Sequence, residues 1–317
     1  MTERRTQMPR PAHPHERREP LPWHRPKPAE EDAEALRRIQ AIRESPSYRL
    51  AEQDIDFIRR NDFRGPRLQL EYLKPEIILS EEGIDHTIVV FGSTRIPEPA
   101  AALRQLKGLR AAQAAGPGGV ALARRVAVAE RILAKSHYYD VAREFGRLVG
   151  NAGWRASKPR VVVMTGGGPG IMEAANRGAF DAGAKSVGLN IDLPHEQYPN
   201  PYISPELCFR FHYFALRKLH LLLRAKALIT FPGGYGTIDE LFEILTLIQT
   251  RKIMPIPVVL VGESYWRRAV DIDFLVNEGV IDQEDRELFW FAEAAQEIWS
   301  GIVDWYDACG EPLYATT

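Results

Sequence analysis

Five short runs of β-branched and aliphatic residues, most of them closed by glycine, set the tightest limit on what this chain can fold into. They are 87–91 before Gly92-Ser93, 161–164 before Thr165-Gly166-Gly167-Gly168, 186–189, 227–231 before Pro232-Gly233-Gly234, and 257–261 before Gly262. Helical stretches separate them, among them 138–149, 171–182, 213–226, 237–250 and 264–278. Near-continuous apolar strands alternating with helices predict an α/β fold, a Rossmann-like parallel sheet with helices on both faces. In such sheets ligands bind beyond the carboxyl ends of the strands, the edge at which these glycines fall.

The remainder of the chain is organised around that sheet. Residues 1–30 are rich in Pro, Arg and His and cannot bury enough apolar surface to offset their ordering entropy, so they read as a disordered tail. His13, His15 and His24 in that tail read as solvated rather than as a metal site. Residues 31–85 read as a helical N-terminal extension, with Ala35, Ile39, Ile42, Ile55 and Ile58 at helical spacing and then Pro66 and Pro75 as breaks in the pattern. Residues 86–317 form the Rossmann-like domain. An Ala- and Arg-rich insertion at about 97–135 interrupts it and reads as a helical hairpin turning at Gly116-Pro117-Gly118-Gly119.

Composition excludes several classes of function. Lys and Arg total 41 against 42 for Asp and Glu, a net charge of -1, which argues against nucleic acid or an anionic membrane as partner. The two cysteines, Cys208 and Cys309, cannot build a disulfide framework or a four-cysteine zinc site and fit a reducing compartment. No His/Cys cluster offers a metal site, and no apolar run approaches the roughly 18 residues of a membrane span. The N-terminus lacks the apolar segment of a signal peptide, so a cytoplasmic protein is expected.

Two glycine loops carry the chemical signal. Gly166-Gly167-Gly168-Pro169-Gly170-Ile171-Met172-Glu173 runs from a strand into a helix, and so does Pro232-Gly233-Gly234-Tyr235-Gly236-Thr237-Ile238-Asp239-Glu240. Glycine lets the backbone approach a ligand closely, and a helix start presents free N–H groups that suit phosphate. Either loop taken alone also reads as a tight strand-to-helix turn. Neither is a Walker loop, and the first lacks the third glycine of a dinucleotide fingerprint, although Asp192 stands where a ribose-binding acid would. Glu240 has two readings. Thr237 and Glu240 fit a capping box, or Glu240 is a carboxylate beside a bound phosphosugar. Glu243, one turn on, is the substitute candidate. Leu241, Ile244, Leu245 and Ile248 form the apolar stripe of that helix. On the preceding helix Leu216, Leu219 and Leu223 form the stripe, while Arg217, His220 and Arg224 share another face, either solvated or functional.

Together these motifs resemble the Lonely Guy (LOG) family. Residues 232–240 resemble its PGGxGTxxE motif, and Arg217-Lys218 resembles the Arg-Lys pair on the helix before it. Residues 166–173 resemble its first glycine loop, and Gly92-Ser93 the end of its first strand. The resemblance spans roughly 87–280. It implies hydrolysis of the N-glycosidic bond of a nucleoside 5′-monophosphate, AMP or a cytokinin ribotide, without metal or other cofactor. A non-catalytic nucleotide-binding protein is the alternative. It further implies Arg217 and Glu240 as the catalytic pair, and Gly233, Gly234, Gly236 and Thr237 around the phosphate. Gly92, Ser93, Gly166, Gly167, Gly168, Gly170, Glu173 and Lys218 would complete the substrate surface. A homodimer is implied, with residues of both chains at the site. The family's older label, lysine decarboxylase, would require a Schiff-base lysine for pyridoxal phosphate, and neither Lys218 nor Lys226 sits in such a motif.

Overall fold

A computed structural model describes residues 15, 19, 21, 24–116, 119–155, 160–194, 198–311 and 313. Most of the expected N-terminal tail, and Pro117-Gly118 of the expected hairpin turn, lie outside these residues.

The chain divides into two compact units, residues 1–67 and 68–317. The first holds α1 (Ala35–Glu44), α2 (Ile55–Ile58) and short 3-10 turns. Ile42 and Ile55, read as members of an apolar stripe, are exposed. The helix α3 (Arg64–Glu81) starts at the end of this unit and continues into the next. Pro66 and Pro75 do not end it, contrary to the sequence reading. Pro66 falls in the first turn, where a missing N–H costs nothing. Pro75 is buried inside the helix and removes one backbone hydrogen bond.

The second unit is built on seven strands, β1 (Ile84–Phe91), β2 (Arg160–Thr165), β3 (Ser186–Ile191), β4 (Cys208–Phe211), β5 (Ala225–Thr230), β6 (Val258–Val261) and β7 (Trp290–Ala292). They form one sheet in the order β4-β3-β2-β1-β5-β6-β7, and every pair is parallel. Its helices are α4 (Pro99–Ala114), α5 (Gly119–Lys135), α6 (His137–Arg155), α7 (Ile171–Asp181), α8 (Phe214–Leu223), α9 (Tyr235–Gln249), α10 (Glu263–Ala269), α11 (Ile272–Asn277) and α12 (Ala295–Ala308). Strand alternation feeds two cores. Ile88 and Val90 of β1 pack with α6, α7 and α12, while Val89 and Phe91 pack with α8 and α9 on the other face. Fully apolar strands are what a sheet covered on both faces demands.

Several elements differ from the sequence reading. β4 and β7, which it did not contain, are edge strands of four and three residues, too short to show a period. The helix read over 213–226 stops at Leu223, because Ala225–Ala227 pairs with β1 as the start of β5. The helix read over 264–278 is two helices, since the Asp271 side chain accepts the Phe274 N–H at 2.9 Å and caps α11.

Strand order reverses between β1 and β5. Connections leave these two neighbouring strands in opposite directions and open a crevice at their carboxyl ends.

Candidate active site

Three loops meet at that crevice. The Ser93 N–H donates to the Pro232 carbonyl at 3.0 Å, and the Ile171 N–H donates to the Ser93 carbonyl at 3.2 Å. The β1, β2 and β5 exits are therefore stitched together by backbone bonds. Gly170 has φ 72°, and a side chain there would strike the Ser93 and Thr94 backbone. Gly92 is needed for the same close approach, since a Cβ would lie 2.6 Å from Ile171.

The resulting cleft has a volume of about 620 Å³. Of the residues the sequence singled out, Gly92, Ser93, Gly166, Arg217, Gly234, Gly236, Thr237 and Glu240 line it. Gly167, Gly168, Gly170, Glu173, Lys218 and Gly233 do not. The Gly167 N–H is already donated to Thr165 Oγ at 2.9 Å, and the Gly168 carbonyl accepts from Asn200 Nδ2 at 3.1 Å. Asn176 joins both ends of this buried network, accepting from Thr165 Oγ and from Asn200. The first glycine loop is thus mostly scaffold. The Glu173 carboxylate accepts the Tyr139 hydroxyl at 2.7 Å. Lys218 Nζ lies 2.8 Å from Asp239 and 3.2 Å from Glu243. The Gly233 carbonyl accepts the Tyr265 hydroxyl at 2.5 Å, which ties the second loop to α10.

That second loop does not hold a capping box. α9 starts at Tyr235 with Gly234 as its N-cap, and no side chain caps it. The flexible Gly233-Gly234 pair lets the helix begin three residues earlier than a Thr237 cap would place it, so Glu240 sits in the second turn. The helix start presents the N–H groups of Tyr235 and Gly236, which have no intrahelical acceptor, with the positive end of the helix dipole behind them.

Glu240 is 6% exposed. Burial pushes its carboxyl up to about 7, with Arg217 and then Lys218 opposing the shift. Arg217 does not belong to a solvated face. It lines the cleft, its guanidinium lies beside Gly166, and its buried Nε has no hydrogen-bond partner among the described residues. Burial lowers its pKa, and Glu240 partly restores it. His220 and Arg224 lie elsewhere, for Arg224 Nη1 is 2.5 Å from Glu76 on α3 and His220 Nδ1 is 3.5 Å from it. The stripe read for α8 is also corrected. Leu219 and Leu223 are 40% and 45% exposed, while His220 and Leu221 face inward. Asp192 lies outside the cleft wall and is paired with Arg210.

Sequence reasoning missed Arg95, Met172, Ile191, Leu193, Phe214, Tyr235 and Asp239 as cleft residues. Arg95 follows Ser93-Thr94 in the β1 exit, a position adjacent to the recognised motif. The apolar set comes from three separated segments, and only the sheet order brings these together.

A family model described as possible lysine decarboxylase matches residues 172–302. A cytokinin riboside 5′-monophosphate phosphoribohydrolase of Arabidopsis thaliana, LOG1, is 30% identical over 176 residues, covering 54% of this chain and 78% of the relative. The chain belongs to the LOG family. The rice enzyme LOG, from Oryza sativa subsp. japonica, carries the same description and is 29% identical over 167 residues, covering 52% of this chain and 65% of the rice protein. Among solved structures, a Moco carrier protein from Chlamydomonas reinhardtii aligns with 19% identity and a TM-score of 0.38, covering 54% of this chain and 89% of that one. That likeness is too slight to bear on function. Within the LOG family, the decarboxylase description does not fit this site. Burial works against the Lys218 charge, but Asp239 and Glu243 prevail and hold it as an ammonium with a raised pKa, the wrong state for a Schiff-base nucleophile. Lys226 lies near the start of β5, at the opposite sheet edge.

Proposed function

We propose that this LOG-family chain hydrolyses the N-glycosidic bond of a nucleoside 5′-monophosphate, releasing the free base and ribose 5-phosphate. The observation that carries the reading is a buried carboxylate, Glu240, held near neutral pKa one helical turn behind a phosphate-suited helix start. The 5′-phosphate sits at the α9 N-terminus, against the backbone of Gly234, Tyr235 and Gly236 and the Thr237 hydroxyl. The base lies against Met172, Ile191, Leu193 and Phe214. This apolar wall suits a purine ring and leaves room for an apolar substituent on it.

Cleavage of an N-glycosidic bond develops positive charge on the sugar ring. A carboxylate in a dry site stabilises that charge and, when ionised, takes a proton from the attacking water. Glu240 fills both roles. Arg217 cannot act as a base. Its guanidinium, at the cleft wall, donates to an oxygen of the bound substrate, and its charge keeps a fraction of Glu240 ionised at neutral pH.

Assembly as a homodimer belongs to the same proposal. It is supported by Leu219 and Leu223, one turn apart on the exposed face of α8 beside the cleft. Light scattering should then return twice the chain mass.

The deciding experiment is an assay of released base over a panel of AMP, GMP, CMP and N6-isopentenyl-AMP. Release of base from at least one, stoichiometric with ribose 5-phosphate, establishes the activity. Binding of the panel without turnover would leave a nucleotide-binding module in its place.

A further inference from the structure

The near-zero charge of the chain conceals a strong segregation. The antiparallel hairpin of α4 and α5 carries Arg104, Lys107, Arg110, Arg124, Arg125, Arg131 and Lys135 against one carboxylate, Glu130. Arg110 is the one cation of the seven with an ion pair among the described residues, to Glu130 across the hairpin at 2.7 Å. Arg104, Lys107, Arg124, Arg125 and Arg131 are all exposed. On α5, Arg124 and Arg131 are seven residues apart and share one face.

We propose that this hairpin is a docking surface for the phosphate backbone of duplex nucleic acid, read without base contacts. The hairpin and a nucleic-acid duplex are complementary in charge. Unpaired guanidinium and ammonium groups on a helix face attract a regular polyanion and release its counterions. At 1.5 Å per residue the 16 and 17 residues of α4 and α5 span roughly 25 Å, the length of about seven phosphates on each strand of a duplex.

Residues 99–135 contain no Phe, Tyr or Trp. Single-strand stacking, membrane-interface anchoring and protein hot spots all draw on aromatic side chains. The hairpin's apolar residues serve another purpose, for Leu106, Val126 and Ala129 pack with Leu109 and Leu133 to hold the two helices together.

Residues 271–287 are as acidic as the hairpin is basic, but much of that charge is engaged locally. Asp271 caps Phe274, Asp273 meets Arg286 at 2.9 Å, Glu284 meets Arg251 at 3.0 Å, and Asp285 accepts from Gln249 at 2.6 Å. Through this segment, a second copy therefore offers few free carboxylates to the hairpin.

The test uses the full chain and fluorescence anisotropy with labelled 20-base-pair duplexes, one RNA and one DNA, over a salt series. Four neutral substitutions, Arg104→Gln, Lys107→Gln, Arg124→Gln and Arg131→Gln, form the test variant. Arg37→Gln, Arg43→Gln, Arg59→Gln and Arg64→Gln form a charge-matched control. Wild type should bind with log K falling against log salt at a slope of about -3 to -5, corresponding to four to six phosphates. The test variant should lose at least about thirtyfold in affinity at low salt, and its slope should become shallower by about 3. The control should change less than about threefold, and all three proteins should melt together. Similar affinity for RNA and DNA supports backbone contact, whereas a preference of more than about tenfold between that DNA and a second DNA duplex of scrambled sequence overturns it. The proposal also fails if test and control variants weaken equally. It fails if the wild-type slope is shallower than about -1. It fails if anionic phosphatidylserine vesicles bind through the hairpin and duplexes do not, or if hairpin-dependent self-association occurs with no duplex binding.

Discussion

The proposed chemistry turns on Glu240. Its carboxyl is pushed up to about 7 by burial, so the fold prefers it protonated. A raised carboxylate pKa destabilises the fold once the group is ionised. The cost is absent below the unfolded value near 4.3, grows as pH rises towards 7, and is complete above it. Glu240→Gln should therefore raise stability by ~1–3 kcal/mol at pH 8 and by almost nothing at pH 4, measured by urea unfolding at each pH. The same substitution should lower turnover by roughly 10²–10⁴-fold while the protein stays folded. Wild-type kcat/KM should climb with pH through about 7, a step that Glu240→Gln should abolish. Arg217→Ala should also remove most turnover, and the double variant should be little worse than either single one, since groups acting as a unit are non-additive. Arg95 has a different role. It lines the cleft and has no carboxylate partner among the described residues. Arg95→Ala should raise KM for a nucleotide about tenfold or more with kcat nearly unchanged, the signature of lost uniform binding.

The helix α8 shows how an element inherits its position from distant sequence. Its N-cap, Tyr213, offers no capping side chain. The Glu71 carboxylate of α3 accepts the His212 and Tyr213 N–H groups at 2.6 and 3.1 Å instead. A carboxylate at a helix N-terminus adds a favourable dipole interaction to the hydrogen bonds. Glu71→Ala should cost about 1–2 kcal/mol in stability and reduce kcat, because α8 carries Arg217. Glu71→Gln should restore much of the stability. Nothing in the local sequence points to this bond, which joins residues 141 positions apart. The elements that were legible from sequence share one property. The buried strands β1, β2, β3, β5 and β6 and the helix α9 carry apolar runs or stripes that local spacing exposes to view. The short edge strands β4 and β7 have too few residues to show a period. Residues 225 and 226 read as helix because Ala and Lys favour helices, and pairing with β1 overrides that propensity. The stripe of α8 misled because leucine marks an apolar face without saying whether the chain's own core covers it.

At the scale of the whole molecule, the sheet order makes a site from residues that the sequence scatters between Gly92 and Glu240. The glycine motifs announced two of its loops, but spacing alone could not tell the loop that lines the cleft from the one that braces it. That distinction comes from tertiary hydrogen bonds, with Gly167 and Gly168 committed to Thr165 and Asn200. The helix start at Gly234–Thr237, whose first N–H groups are uncommitted, is therefore the part of the crevice to which the proposed function assigns the phosphate, and this gives a prediction about the folded state as a whole. A ligand that binds only the folded chain stabilises it by mass action, about 2.7 kcal/mol at a hundred times its Kd. For a unit of about 250 residues that corresponds to a rise in Tm of roughly 5–10 °C, given ~2–4 °C per kcal/mol. Ribose 5-phosphate should produce such a rise, and adenosine at the same concentration should produce almost none, because it brings no charge to the α9 N-terminus. AMP should be cleaved far faster than adenosine for the same reason. Equal thermal shifts with adenosine and ribose 5-phosphate, measured by differential scanning calorimetry, would refute the assignment of that helix start to the phosphate.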